Sequence, residues 1–182
     1  MKRIALLVVL VFLFIGQAQA EKGGHYYLAN LGYAFVDVSG DPDPLMLASL
    51  SYGYGFSQKW ALEVDYTQSF SGGEYENSDG GTPPIITKGE YSLWALSVNA
   101  AYRHLFKDVF YFKGKIGYTY GDSELTSSED STKSKEINSL SGALGVGYLA
   151  GAVVGSALTL ELMLAKQTED LTSIMIGANV TF

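Results

Sequence analysis

The sequence has no cysteine, four prolines and two histidines among its 182 residues. Without cysteine the chain can form no disulfide bond and offers no thiol for a lipid anchor. Basic residues are also few, since 12 Lys and Arg stand against 19 Asp and Glu. A basic patch is the usual footprint of a nucleic-acid-binding protein, so we predict no nucleic-acid partner. After its first twenty residues the chain has no apolar run near the roughly 20 residues that a membrane-spanning helix needs.

The first twenty residues predict a signal peptide. Lys2 and Arg3 form a basic start, Ile4–Ile15 is an unbroken apolar run, and Ala18–Ala20 has the small residues of a cleavage site. The apolar run is too short to cross a bilayer as a helix. We therefore predict that residues 1–20 are removed after export. The remaining residues, 21–182, are expected to form one domain.

The rest of the chain alternates between bulky apolar residues and small or polar ones. Such alternation is typical of β-strands, and the 21 Gly, 13 Tyr and 9 Phe favour β structure as well. Eight segments show it: His25–Val36, Leu45–Phe56, Trp60–Phe70, Tyr91–Leu105, Val109–Tyr120, Ile137–Leu149, Gly155–Lys166 and Leu171–Phe182. Between them, short turns alternate with polar connections, predicted at 37–44, 71–90, 121–136 and 167–170. Short turns at one end and long polar loops at the other are typical of transmembrane barrels.

The size of the residues on each face indicates which face is inside. In the third segment Trp60, Leu62 and Val64 share one face, whereas Glu63 and Asp65 share the other. An eight-stranded barrel has an interior just wide enough to be filled by side chains, so a bulky face turned inward would overfill it. The apolar face must look outward, which argues against a soluble lipocalin-like barrel. The predicted fold class is all-β, an eight-stranded antiparallel up-and-down transmembrane β-barrel.

Outward aromatic residues are predicted to form two belts, as at the two interfaces of membrane barrels. The belt near the short turns has Tyr54, Phe56, Trp60, Tyr102, Phe110, Phe112, Tyr148 and Phe182. The belt toward the long loops has Tyr33, Phe35, Tyr66, Phe70, Trp94, Tyr118 and Tyr120.

Three stretches carry a resemblance to a known family: residues 53–63, residues 113–118 and the last segment, which ends on Phe182. Together with the eight segments, they make the mature chain similar to small outer-membrane β-barrel proteins of the OmpA membrane-domain and OmpX/Ail type. The resemblance implies the outer membrane of a Gram-negative bacterium, surrounded by lipid and lipopolysaccharide. It also implies that Phe182 is the signal read by the barrel-assembly machinery. An even number of strands puts both termini on the periplasmic side and the long loops outside the cell.

Charged residues on the inward face predict a closed lumen. They are three acids and three bases: Glu63, Asp65, Arg103, Lys113, Lys115 and Glu161. All lie about four to seven residues from a short turn, so they should form one ionic layer in the periplasmic half. Three-residue turns at 57–59 and 106–108 would place Glu63 opposite Gly53 and make Arg103 and Lys113 diagonal neighbours. Buried charges are costly unless they are paired. This cost favours charges that pair with each other and block the lumen over charges that line an open channel. The alternative is a hydrated channel in which the same residues select ions.

The sequence contains little that would serve catalysis. A hydrolase needs a nucleophile with a base in hydrogen-bond reach. His104 lies on a lipid-facing side between Tyr102 and Phe106, and His25 lies at the start of the first strand. No cofactor is predicted either, because the gap from Gly147 to Gly151 is one residue too long for a dinucleotide-binding motif. The inward Gly145 and Gly147 are instead expected to make room for larger side chains across the lumen. We predict a protein that is not an enzyme, and a lipid-modifying enzyme is the most distant of the possibilities.

The loops are strongly acidic. The four polar connections at 37–44, 71–90, 121–136 and 167–170 contain 14 acidic residues and three lysines, a net charge of −11. This charge predicts either a basic surface ligand or divalent cations bridging to lipopolysaccharide, with weak cation binding by Asp37, Asp41 and Asp43. The predicted function is a monomeric surface protein with a structural or adhesion-type role. A small porin-like pore for ions or solutes is the alternative.

Overall fold

The computed structural model describes residues 24–36, 43–70, 73–78, 86–107, 109–127, 132–153, 156–168 and 171–181. The predicted signal peptide, Phe182, Asp37 and Asp41 lie outside the described residues. Within these ranges the strands are β1 (His25–Val36), β2 (Leu45–Gly55), β3 (Trp60–Ser69), β4 (Gly73–Ser78), β5 (Ile86–Phe106), β6 (Phe110–Ser127), β7 (Thr132–Val153), β8 (Ser156–Thr168) and β9 (Leu171–Thr181). No helix in the described ranges is long and apolar enough to cross a membrane.

The strands close into a barrel in which every pairing is antiparallel. β1 pairs with both β2 and β9, and β5, β6, β7 and β8 each pair with the next strand along the chain. The circle is completed by β3, which pairs with β2 on one side and with β5 on the other. The short β4 pairs with the first residues of β5, just beyond β3, so β3 and β4 share one position. The predicted eight-stranded barrel is confirmed.

The two ends of the barrel differ in their connections. The end with connections 56–59, 107–109 and 154–155 is called the turn end, and β1 begins there. The opposite end, with connections 37–44, 128–131, 169–170 and the segments between β3 and β5, is called the loop end.

Strands at the loop end extend further than the sequence predicts. Residues 71–90 and 121–136 were expected to be loops, but β4 lies in the first range, and β5 begins at Ile86. β6 continues to Ser127 and β7 begins at Thr132, with the ladder between them unbroken. Polar residues on both faces remove the alternation on which the prediction rested. The backbone groups still need hydrogen-bond partners, and the neighbouring strand supplies them.

Burial follows the predicted parity along the strands. In β3 the side chains alternate between exposed and buried, beginning with exposed Trp60. The most exposed apolar side chains are Leu140, Leu144 and Ile116, at 77%, 72% and 67% of full exposure. Soluble proteins rarely expose apolar surface continuously in this way. The prediction that the bulky apolar face looks outward is confirmed.

Candidate functional site in the barrel lumen

Two lysines on β6 organise a cluster of charges inside the barrel. Lys113 Nζ lies 2.7 Å from Glu63 Oε1 and 3.2 Å from Glu161 Oε2. Lys115 Nζ lies 2.7 Å from Glu63 Oε2 and 2.5 Å from Asp65 Oδ2. All five of these residues are buried. Both lysines reach across the lumen to β3, which is separated from β6 by β5, and Lys113 also reaches β8.

Arg103 joins the cluster from the turn end. Its Nη2 lies 3.6 Å from Glu161 Oε1, an ion pair without a hydrogen bond. Its guanidinium carbon lies 5.0 Å from the ring centre of Tyr26 and 4.7 Å from that of Tyr111. Both distances are in the range of cation–π attraction. The structure thus brings together all six residues of the predicted ionic layer.

The register between β5 and β6 differs from the predicted one. The sequence suggested that Arg103 and Lys113 are diagonal neighbours, but they lie directly opposite each other. Phe106 pairs with Phe110, so the connection spans 107–109 and not the predicted 106–108. Each residue of β5 therefore faces a partner two residues further along β6 than predicted. Like charges directly opposite each other repel, and here the two cations lie near different oxygens of Glu161.

Two tyrosines hold the carboxylates in place. The Tyr26 hydroxyl donates a hydrogen bond to Glu63, and the Tyr111 hydroxyl donates one to Glu161. Each tyrosine lies opposite a glycine on the neighbouring strand, Gly53 for Tyr26 and Gly147 for Tyr111. A Cβ at either glycine would overlap the tyrosine ring. Gly147 does make room for a larger side chain, but this side chain is Tyr111 on the adjacent strand β6 and not one across the lumen.

Sequence reasoning missed Tyr26. The signal was present, because the outward residues Tyr33 and Phe35 have odd numbers and an even-numbered residue of the same strand must point inward.

Amide and hydroxyl groups complete the polar network. Asn99 Nδ2 donates to Asp65 Oδ2 at 2.7 Å, and Asn179 Nδ2 donates to Glu161 Oε1 at 3.1 Å. Hydrogen bonds to several donors are what make a buried carboxylate tolerable. The network therefore fixes the positions of the acids as well as neutralising them.

Part of the interior toward the loop end is apolar. A cluster of buried side chains from β1, β2, β5 and β9, here called the apolar cluster, has Ala34, Leu45, Leu47, Leu93, Ala95 and Leu171 as its members. The predicted polar lumen therefore describes only part of the interior. The beginning of β2, which reads Leu-Met-Leu-Ala, is apolar on both faces. Its sequence therefore does not show which of these residues point into the lumen.

The aromatic residues predicted to form belts point outward wherever the structure describes them. Tyr102 is half-buried, and the other described members are exposed. Neighbouring rings contact each other at both ends of the barrel: Trp60 and Tyr102 have centres 4.9 Å apart, and those of Trp94 and Tyr120 are 6.0 Å apart. Phe182 lies outside the described residues.

Neither histidine lies near a nucleophile in an enclosed site. His104 is exposed on the outer face. His25 Nδ1 lies 2.6 Å from the Tyr52 hydroxyl, and its ring packs on Tyr52 and Tyr54 at the turn end. In the described part of the chain, no group of three or more His, Asp or Glu is arranged to hold a metal ion.

Several solved structures have a similar fold. OprG from Pseudomonas aeruginosa matches with a TM-score of 0.60 at 15% identity, covering 91% of this chain and 99% of that chain. Neisserial surface protein A matches with a TM-score of 0.59 at 14% identity, covering 86% and 95%. Ail, the attachment invasion locus protein of Yersinia pestis, was solved with the heparin analogue sucrose octasulfate; it matches with a TM-score of 0.54 at 13% identity, covering 89% and 100%. No curated protein sequence matches the chain.

A family model covers nearly the whole sequence. Residues 5–182 match the family described as the outer membrane protein beta-barrel domain. This match agrees with the closed barrel, the outward apolar face and the similar structures. Together they indicate the outer membrane of a Gram-negative bacterium. The chain belongs to the outer membrane protein β-barrel domain family.

Proposed function

We propose that this protein is a non-conducting outer-membrane scaffold that presents an acidic surface to partners outside the cell. The observation that carries the proposal is the filled lumen, which contains the ionic cluster toward the turn end and the apolar cluster toward the loop end. With the lumen closed in this way and no catalytic constellation among the described residues, the barrel would act through its surface. The periplasm is assigned to the turn end and the cell exterior to the loop end, because outer-membrane barrels have short periplasmic turns and long outer loops.

Two barriers of different chemistry support a closed lumen. A cavity of about 140 Å³ opens at the turn end, and Arg103 and Lys113 contribute to its lining. Beyond it lie the paired charges, of which Glu63 is fully buried. An ion that passed this layer would still meet Leu45 and Leu47, which are also fully buried. A hydrophobic constriction resists ions because it does not hold water.

The charge of the loop end supports a basic partner. Of the 14 acidic residues in the predicted loops, Glu90, Glu124 and Glu136 are exposed on the long hairpins of β5, β6 and β7. The heparin analogue bound in the Ail structure is a polyanion, and an acidic surface would repel such a ligand. The chemistry favoured here is a cationic peptide or protein surface, or divalent cations that bridge the acids to lipopolysaccharide phosphates.

The first prediction concerns conductance. The refolded wild-type protein in planar bilayers is expected to show no stable channel openings. Arg103→Ala is expected to destabilise the barrel or to make it leak, because Glu161 loses the cation at the turn end. Lys59→Ala, an exposed lysine at the turn end, is the control and should behave as the wild type does. Stable and frequent openings in the wild type would contradict the closed lumen and favour the pore.

The second prediction concerns the acidic surface. The combined variant Glu90→Gln, Glu124→Gln and Glu136→Gln is expected to slow the association of an oligolysine peptide by about tenfold at low salt, because electrostatic steering is weakened. The measurement is surface plasmon resonance on the barrel in nanodiscs, repeated at high salt, where the difference should shrink.

The matched control is Thr126→Gln with Thr132→Gln, which changes exposed residues of the same hairpins without changing their charge. Equal association rates for the acidic variant and this control would refute the role of the acidic surface.

A further inference from the structure

A small chamber lies in the middle of the lumen, between the ionic cluster and the apolar cluster. Its volume is about 30 Å³, and Asn30, Ser51, Asp65, Ser141 and Gln167 contribute to its lining. The strands show its position between the two barriers. In β2, Leu47 lies on the loop side of the chamber residues Ser49 and Ser51, and Gly53, which faces Glu63, lies on the turn side. In β5, likewise, Ala95 of the apolar cluster lies on the loop side of the chamber residue Asn99, and Arg103 of the ionic cluster lies on its turn side.

The chamber wall has polar atoms that no neighbour satisfies. Nine buried side-chain atoms lack a hydrogen-bond partner among the described residues, and six of them belong to residues that line the chamber: Asn30 Nδ2, Asn30 Oδ1, Ser51 Oγ, Asp65 Oδ1, Ser141 Oγ and Gln167 Oε1. Buried polar groups in folded proteins nearly always have a partner, and when the protein does not supply one, ordered water does. Asn30 is the clearest case, because both polar atoms of its amide are unsatisfied and only 2% of the residue is exposed.

Two independent counts agree on the occupancy. A buried water needs at least about 10–15 Å³ of space accessible to its centre, so a chamber of about 30 Å³ has room for two or three. A buried water typically makes about three hydrogen bonds, so six unsatisfied atoms also require about two waters. We propose that this chamber is an internal binding site for a pair of ordered waters, anchored on the Asn30 amide.

The chemistry of the wall favours water over a cation. Among the six unsatisfied atoms of the chamber, only Asp65 Oδ1 belongs to a carboxylate. The other oxygen of that carboxylate already lies 2.5 Å from Lys115 Nζ. A bound cation would sit close to that ammonium group and would be repelled by it. Water can donate to Asp65 and Gln167 and accept from Asn30, so it alone fits a mixed set of donors and acceptors.

The site also differs from an aqueous channel, because the ionic cluster lies on its turn side and the apolar cluster lies on its loop side. Its isolation from bulk solvent depends on the closed lumen proposed above, whereas the presence of the waters does not. The two waters should therefore exchange slowly, and they provide hydration in the interior without a conducting path.

The test is a high-resolution crystal structure of the refolded barrel, together with water–amide nuclear Overhauser effects in detergent. The wild type is expected to show about two waters within hydrogen-bond distance of Asn30 and Ser51. Asn30→Leu keeps the branched shape and the number of side-chain heavy atoms and removes two of the six unsatisfied atoms. At least one water should therefore be lost, while the difference in gel mobility between heated and unheated protein remains. Asn138→Leu, an exposed position on β7, is the control and should retain both waters.

Two results would overturn the water site: a dry chamber whose side chains have turned to bond one another, or a bound metal ion at the same position. Conducting wild-type barrels that still hold both waters would refute the closed lumen and leave the water site intact. A dry chamber in a non-conducting barrel would refute the water site alone.

Discussion

Lys113→Ala is expected to lower the free energy of unfolding by about 3–5 kcal/mol, the usual loss when one partner of a buried ion pair is removed. Lys113 Nζ contacts both Glu63 and Glu161, so its removal leaves two buried carboxylates short of a cation. Glu63 would retain Lys115, whereas Glu161 would retain only Arg103 at 3.6 Å. Of the two acids, Glu161 therefore loses more of its compensation.

The measurement is denaturant unfolding in lipid vesicles, followed by the difference in gel mobility between folded and unfolded barrel. Lys59→Ala is the matched control, since it removes an exposed lysine at the same end, and should change stability by no more than about 0.5 kcal/mol. The double variant Lys113→Met with Glu161→Gln should recover part of the loss, because the opposite charges leave together. Equal stability of Lys113→Ala and Lys59→Ala would show that the cluster does not stabilise the fold.

Gly147→Ala is expected to destabilise the barrel by about 1–3 kcal/mol, the range for overfilling a packed interior. The new Cβ would overlap the Tyr111 ring, which lies over Gly147. The ring cannot move away freely, because its hydroxyl bonds Glu161 and its face lies against the Arg103 guanidinium. One added methyl group would therefore disturb three members of the polar network.

Gly114→Ala is the matched control on the outer face. Its Cβ would meet only the Leu144 Cδ2 atom at 3.7 Å, an ordinary contact. This variant should be neutral or more stable by up to about 1 kcal/mol, because the unfolded chain loses conformational freedom. In a Tyr111→Ala background the Gly147→Ala loss should shrink, as expected for two residues in direct contact. Equal effects of the two glycine variants in the wild-type background would mean that the tyrosine–glycine contact is not tight.

The alternation in the sequence was enough to predict most of the barrel. It identified all eight barrel positions, the outward face and the inward parity of Glu63, Asp65 and Glu161. It also predicted that Glu63 lies opposite Gly53, because a three-residue turn determines the hairpin register. The strands of the long hairpins were underestimated, because polar residues on both faces leave no periodic signal.

The sequence by itself determined which residues face the lumen, because the two-residue period of a strand is local. Only the tertiary structure decided which acid meets which base. Lys113 on β6 reaches Glu63 on β3, a strand it does not neighbour, and that contact depends on closure and stagger of the whole sheet. The same holds for Tyr26 bonding Glu63 and for the apolar cluster built from four strands. Contacts across a closed barrel join residues distant in the chain, and no local pattern in the sequence encodes them.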